Sequence, residues 1–274
     1  MKHIKIFDTT LRDGQQGIGS NMTPREKIKI AKHLEEMGVD IIEAGFPISS
    51  EKEYKSVKNI SKVIKKSKVC ALARHNKMDV DLAISAIGKK NRLHVFIPTS
   101  DIHIKYKLNL TQNQIINKIE ETLKYAKSRI DDIEWSSEDA TRTDINFLSK
   151  CISTAIKNGA TTINIADTVG YTTPTEFNNF IKGIYRRVKN LKKVNFSVHC
   201  HNDLGLAVAN SLQAIEIGAN QVECTINGIG ERAGNASLEE IVMSLKTRKD
   251  LFKASTKIKT KRLKKVSTLV SKTI

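Results

Sequence analysis

The chain has 274 residues, 39% of them hydrophobic, and carries 46 Lys and Arg against 29 Asp and Glu, a formal net charge of +17. That length and apolar content suit one large α/β domain with a substantial core, and no apolar run approaches the roughly 18 residues of a membrane span. Cys70, Cys151, Cys200 and Cys224 lie far apart with no C-x-x-C pair, and MKHIKIFD enters a strand without a signal peptide; a reduced cytoplasmic protein is expected, without a disulfide framework or a thiolate zinc site.

In chain order, strand-like runs appear at 4–8 (IKIFD), 40–45 (DIIEAG), 69–74 (VCALAR), 93–99 (LHVFIPT), 132–138 (DIEWSSE), 162–168 (TINIADT), 195–202 (NFSVHCHN) and 221–227 (QVECTIN). Helical patterns separate them. In REKIKIAKHLEEMG the apolar residues recur at three and four spacing and a glycine closes the segment. Eight βα units over residues 1–250 predict a TIM (β/α)8 barrel. A doubly wound open sheet is the alternative, but the chain has no Gly-x-Gly-x-x-Gly turn after its first strand.

The remaining segment, 251–274, holds eight Lys or Arg residues and no acid. Elsewhere the lysines spread over amphipathic segments without interleaved aromatics, the pattern of solvated helix faces. Neither a nucleic-acid nor a membrane partner is expected.

Active sites of TIM barrels gather at the C-terminal ends of the strands. The polar residues of this chain fall there: Asp8, Arg12 and Asp13 after the first strand, Glu43 on the second, Arg74 on the third, and Thr99 and Ser100 after the fourth. Ser136, Glu138 and Asp139 follow on the fifth, Asp167 and Thr168 on the sixth, His199 and His201 on the seventh, and 227–235 after the eighth. Alternate residues of a strand share a face, so His199 and His201 point the same way and are able to hold one ion; a pair of partly buried histidines at a strand end is the plainer account of such a spacing. Cys200, facing the opposite way, is assigned to packing.

The motifs DTTLRDG (8–14), EAGFP (43–47), HVFIPTSD (94–101), EDATRTD (138–144), DTVGYTTP (167–174), HCHNDLGLAVANS (199–211) and ECTINGIGERAGNASLEE (223–240) resemble the DRE-TIM metallolyases, and within them the isopropylmalate and homocitrate synthase group. The resemblance spans roughly residues 4–274. It implies a Claisen condensation that commits carbon to leucine: acetyl-CoA is enolised at its methyl group, attacks the keto carbon of 2-oxoisovalerate, and the thioester is hydrolysed. Homocitrate and citramalate synthases share the implied metal site. Lyases running the reverse cleavage lack the wording of DTVGYTTP (167–174) and of ECTINGIGERAGNAS at the start of the last motif.

By the same resemblance, Asp13, His199, His201 and Asn235 are the expected metal ligands, a donor set suited to Mn²⁺ or Mg²⁺ with Zn²⁺ as an alternative. Arg12 matches an arginine that stabilises enolate or alkoxide charge; a plain salt bridge to Asp8 or Glu43 is the competing account. Glu138 resembles a catalytic carboxylate that hydrogen-bonds within the site, and His94, Ser136 and Thr168 match positions lining the 2-oxo acid pocket. Gly228, Gly230 and Gly234 are expected to let backbone approach ligand and metal. A homodimer is expected.

Gln15 stands where the group usually has Glu, Ala166 where proline is common, and His75, expected near the pocket mouth, where a small residue is usual. The tail resembles the start of a linker region that in longer relatives leads to a leucine-sensing domain. A histidine and a tyrosine of that region are expected to reach into the partner subunit's barrel and assist proton abstraction. The expectation that follows is a barrel that binds metal and 2-oxo acid but turns over slowly or needs a partner polypeptide.

Overall fold

The helix starts are encoded locally. Thr23 opens α1 (Pro24–Met37): its hydroxyl accepts the Glu26 N–H at 3.3 Å, and the Glu26 carboxylate accepts the Thr23 N–H at 2.7 Å. This reciprocal cap satisfies two otherwise orphaned donors, and Pro24 sits where no intrahelical N–H is needed. Gly38, at φ 99°, ends the helix in a left-handed turn closed to most side chains. Thr173 and Glu176 repeat the device at the sixth barrel helix (Pro174–Arg187).

A computed structural model describes residues 1–17, 19 and 21–274. Among these, eight parallel strands close a barrel in sequence order. They are β1 (Lys5–Asp8), β2 (Ile41–Gly45), β3 (Lys68–Arg74), β4 (Arg92–Pro98), β5 (Asp132–Glu138), β6 (Thr162–Asp167), β7 (Asn195–Cys200) and β8 (Gln221–Cys224). β8 pairs with β1, Gln221 beside Lys5, and closes the ring. The outward faces of the strands bury against the surrounding helices: Ile163, Ile165, Val198 and Val222 are inaccessible, as are Ile30 and Leu34 of α1. The expected TIM barrel is the fold of the chain.

The strand ends differ from the sequence expectation in two places that matter for function. β8 stops at Cys224 rather than 227, because Thr225 leaves the sheet to pair with Ser237 and a short 3-10 turn (Ile226–Gly228) follows. β7 stops at Cys200, so His201 is not a barrel-strand residue; it forms an antiparallel bridge with Asn235. Residues 254–255 pair in parallel with residues 2–3, and the helix Leu263–Ser271 buries Leu263, Val266 and Val270. No helix among the described residues is long and apolar enough to cross a membrane.

Candidate metal centre

The loop after β1 is wound by the Thr9 carbonyl, which accepts the N–H groups of Arg12 (3.1 Å) and Asp13 (2.9 Å). This turn points both side chains across the C-terminal mouth of the barrel toward the end of β7. There His199 Nε2 lies 3.2 Å and His201 Nε2 3.6 Å from Asp13 Oδ2, and the two imidazole nitrogens are 2.8 Å apart. Asn235 arrives from the loop after β8, its Nδ2 donating to the Ile229 carbonyl at 3.0 Å. A Cβ on Gly230 would collide with the Asn235 amide and stand 3.3 Å from Asp13 Oδ1, so a larger residue there would push Asn235 out of its place.

Two buried oxygens in this cluster, Asp13 Oδ1 and Asn235 Oδ1, have no hydrogen-bond partner. Buried acceptors left unpaired are costly, and a cation satisfies them. The imidazoles carry the same signature. Burial opposes charge on His199, but Asp13 and Glu223 outweigh it and push its pKa up to about 10, while burial and the neighbouring His199 hold His201 down. Asp13 is held well below the usual carboxylate range by Arg12 and the two histidines against the effect of burial. One carboxylate, two imidazoles and an amide oxygen thus fit a divalent ion, which would take the place of the proton.

Second contacts orient the candidate ligands. Glu223 accepts His199 Nδ1–H at 2.8 Å, which leaves Nε2 of a neutral ring free to ligate. Arg232 Nη2 donates to His201 Nδ1 and to the Thr168 carbonyl, both at 2.7 Å. A guanidinium only donates, so His201 Nδ1 accepts here and a neutral His201 ring carries its proton on Nε2; His201 would hold an ion through Nε2 only with that proton lost or moved to Nδ1.

Arg12 is held by Glu43 (Nε to Oε2, 2.6 Å) as well as by Asp13 (3.1 Å). The salt bridge to Glu43 is therefore real, and it aims the guanidinium beside Asp13 and the two histidines. Glu43 is itself fully buried and lowered to about 2, because Arg12 and His94 overcome desolvation. Its other oxygen accepts from His94 Nδ1 at 2.7 Å. His94 Nε2 meets Ser136 Oγ, which also accepts from Asn164 Nδ2 at 2.8 Å. One hydrogen-bonded line thus runs from Arg12, in the loop after β1, through Glu43 on β2, His94 on β4 and Ser136 on β5 to Asn164 on β6.

A cavity of about 680 Å³ opens over this line, walled on its apolar side by Phe46, Leu72 and Phe96. The structure brings Arg12, Asp13, His199, His201 and Asn235 into one cluster and joins His94 and Ser136 to it through Glu43. Glu138 and Thr168 line the cavity without a hydrogen bond to that cluster. Glu138 Oε1 pairs with Lys107 at 2.6 Å and its Oε2 is unpaired, while Thr168 Oγ1 accepts the Asp139 N–H at 2.8 Å. Gln15 and Ala166 also line the cavity. His75 does not sit at the mouth. It is buried and accepts Trp135 Nε1–H at 3.0 Å, and burial pulls it down to about 3.

Glu223, Asn164 and Arg232 were not singled out by the sequence reading. A buried acid inside the apolar run QVECTIN was the available signal for Glu223, since an acid at an inward strand position requires a partner; nothing local marked the other two.

Residues 3–270 match the model of the HMGL-like family. The chain is 53% identical over 274 residues to a 2-isopropylmalate synthase of Geobacillus sp. (strain WCH70), covering 99% of this chain and 53% of that protein. It is 52% identical to 2-isopropylmalate synthase 1 of Caldanaerobacter subterraneus subsp. tengcongensis, covering 99% of this chain and 69% of that one. The chain thus spans about half the length of most of the curated relatives it matches. Among solved structures, the hydroxymethylglutaryl-CoA lyase of Pseudomonas aeruginosa superposes with a TM-score of 0.85 at 18% identity, over 99% of this chain and 93% of that one, a likeness of fold.

Proposed function

The chain belongs to the HMGL-like family, and from that premise we propose that its barrel carries the condensation of a 2-isopropylmalate synthase. In that reaction acetyl-CoA, 2-oxoisovalerate and water give 2-isopropylmalate and CoA, the first committed step of leucine biosynthesis. The reading rests on one observation: Asp13, His199, His201 and Asn235 converge beside Arg12 in a chain 53% identical to a 2-isopropylmalate synthase.

Asp13, His199, His201 and Asn235 would hold the divalent ion, Mn²⁺ or Mg²⁺ with Zn²⁺ as the alternative. When bound, such an ion supplies Lewis acidity to the keto group of a 2-oxo acid. Arg12, clamped by Glu43 and Asp13, presents a fixed guanidinium to the negative charge that develops on oxygen as the carbon–carbon bond forms. A preorganised donor of this kind is worth about 3–4 kcal/mol of transition-state stabilisation. His94 and Ser136 orient the oxo acid from the buried hydrogen-bonded line. Thr168 lines the same pocket, and the apolar wall of Phe46, Leu72 and Phe96 suits a branched alkyl group. Glu138, with one oxygen unpaired, is placed to accept a hydrogen bond or a proton in the cavity. The reading includes acetyl-CoA as the second substrate, a homodimer and a cytoplasmic location.

The deciding experiment follows CoA release from acetyl-CoA with a thiol reagent, with and without Mn²⁺ and 2-oxoisovalerate. Release that needs both supports the synthase reading; none, with ion and oxo acid still bound, removes turnover by this chain alone. Substrate class is read from thermal stabilisation of the ion-loaded protein. A shift with 2-oxoglutarate or pyruvate but none with 2-oxoisovalerate would replace the leucine assignment by a homocitrate or citramalate synthase.

A further inference from the structure

Asn235 reaches the candidate metal cluster from a loop that folds back on its own start: its N–H donates to the Gly228 carbonyl at 2.9 Å. The residue that launches this loop is Asn227, held at φ 59°. A non-glycine residue in the left-handed region is strained, least so for Asn, and persists where its surroundings over-determine it. Those surroundings are the C-terminal helix. Asn227 Nδ2 donates to the Ser267 carbonyl (3.1 Å) and to Ser271 Oγ (2.9 Å), and its Oδ1 accepts from the Ser267 hydroxyl. Its backbone N–H donates to the Glu239 carboxylate at 3.0 Å. The helix Leu263–Ser271 is in turn seated by Leu263, Val266 and Val270 and by Arg262, which pairs with Glu36 at 2.7 Å.

We propose that Asn227 is a positioning residue that ties the C-terminal helix to the loop presenting Asn235, so that docking of this helix sets the affinity of the barrel for its divalent ion. The proposal rests on the reading of Asp13, His199, His201 and Asn235 as the ion site. Undocking the helix removes all three side-chain bonds of Asn227, frees its strained turn to relax, and releases the Gly228 carbonyl that holds the Asn235 backbone. Ion affinity then falls with the fraction of molecules whose loop stays competent. The coupling is reciprocal: a bound ion holds the helix down, and anything that pulls on residues 263–271 weakens ion binding.

Two kinds of variant separate the bridge from simple loop damage. Asn227→Gly keeps the left-handed backbone at no steric cost but removes the side-chain bonds. The double variant Ser267→Ala, Ser271→Ala removes hydroxyls from the helix and leaves the loop sequence intact. In calorimetric titrations of the metal-free chain with Mn²⁺, Asn227→Gly binds about tenfold more weakly. The serine variant shifts the same way, and the combination is no weaker than Asn227→Gly alone. Hydrogen exchange provides a second readout: Mn²⁺ slows exchange of the amides of 263–271 in the unaltered chain and not in Asn227→Gly. Unchanged affinity in Asn227→Gly, strictly additive losses, or ion-insensitive exchange in the unaltered helix overturns the proposal. Mn²⁺ binding by His201→Ala equal to that of the unaltered chain would instead overturn the ion site itself.

Discussion

Two polar layers lie two residues apart inside the same barrel, and they are built on opposite principles. The lower one joins Arg92, Glu134 and Gln221: Arg92 Nη1 reaches Glu134 (2.9 Å) and Gln221 (2.7 Å), Arg92 Nε reaches Asp132 (2.9 Å), and Gln221 Nε2 returns to Glu134 (2.7 Å) and Ser197 (3.0 Å). None of these side chains has a buried unpaired atom. One step up the same strands stand His94, Ser136 and Glu223, and around them Asp13, Asn164, Glu223, Asn235 and Glu138 each leave a buried oxygen unpaired. The lower layer answers only to itself and holds the strands in register; the upper keeps acceptors open for something the chain does not contain. Burial and charge are similar in the two, so polarity alone does not mark a site. Unmet hydrogen-bonding capacity does.

Breaking each layer should therefore have opposite consequences. Arg92→Leu leaves Glu134 buried without its positive partner, held only by Gln221, and is expected to cost about 3–5 kcal/mol of stability, measured by urea unfolding, with Mn²⁺ affinity per folded molecule unchanged; an equal loss of ion binding would erase the distinction between the layers. Asp13→Ala is expected to weaken Mn²⁺ binding more than about 100-fold while the barrel still unfolds cooperatively, as read by calorimetry and circular dichroism. Glu223→Gln keeps the shape but weakens the support of His199, and Mn²⁺ affinity should drop about 10–100-fold; no change would remove Glu223 from the support of the ligands.

The smallest effect sharpens the comparison at a histidine of the upper end that is closed like the lower layer. Burial lowers His75 to about 3 in the folded chain, against about 6.5 when unfolded. The unfolded chain thus binds the extra proton between those values. The stability held by neutral His75 is intact above pH 6.5 and is lost as pH falls toward 3, at about 1.4 kcal/mol per unit. His75→Gln, able to accept from Trp135, should be flatter by about 1.4 kcal/mol between pH 7 and 5.5 in urea unfolding; identical slopes would show that His75 is not the group that titrates.

Several strand and site positions were legible from local pattern. The eight barrel strands fall within one to three residues of their expected ends, because alternation of helix caps and apolar strand runs is a property of short segments. The ends were less legible where a strand yields to tertiary pairing, as at Thr225 and His201, whose partners Ser237 and Asn235 lie in a later loop. Arg232 went unnoticed for the same reason: its contact with His201 joins positions 31 residues apart, and no spacing rule links them. The Arg12–Glu43 pair was foreseen only as a rival to a role for Arg12 in the chemistry, whereas the geometry makes it the means by which Arg12 is aimed.

By itself the sequence determined the barrel, the identity of the residues at its mouth, and the common face of His199 and His201, since each follows from residue periodicity and the recurrence of βα units. Only the tertiary structure decided which oxygens remain unpaired, that one buried line runs from Arg12 to Asn164, that His75 turns away to Trp135, and that Asn227 ties the last helix to the loop of Asn235. These are facts about distance between remote segments. They arise when the closed sheet brings β8 against β1 and the chain end back over α1 and the turn after β8, and no local property of the chain encodes them.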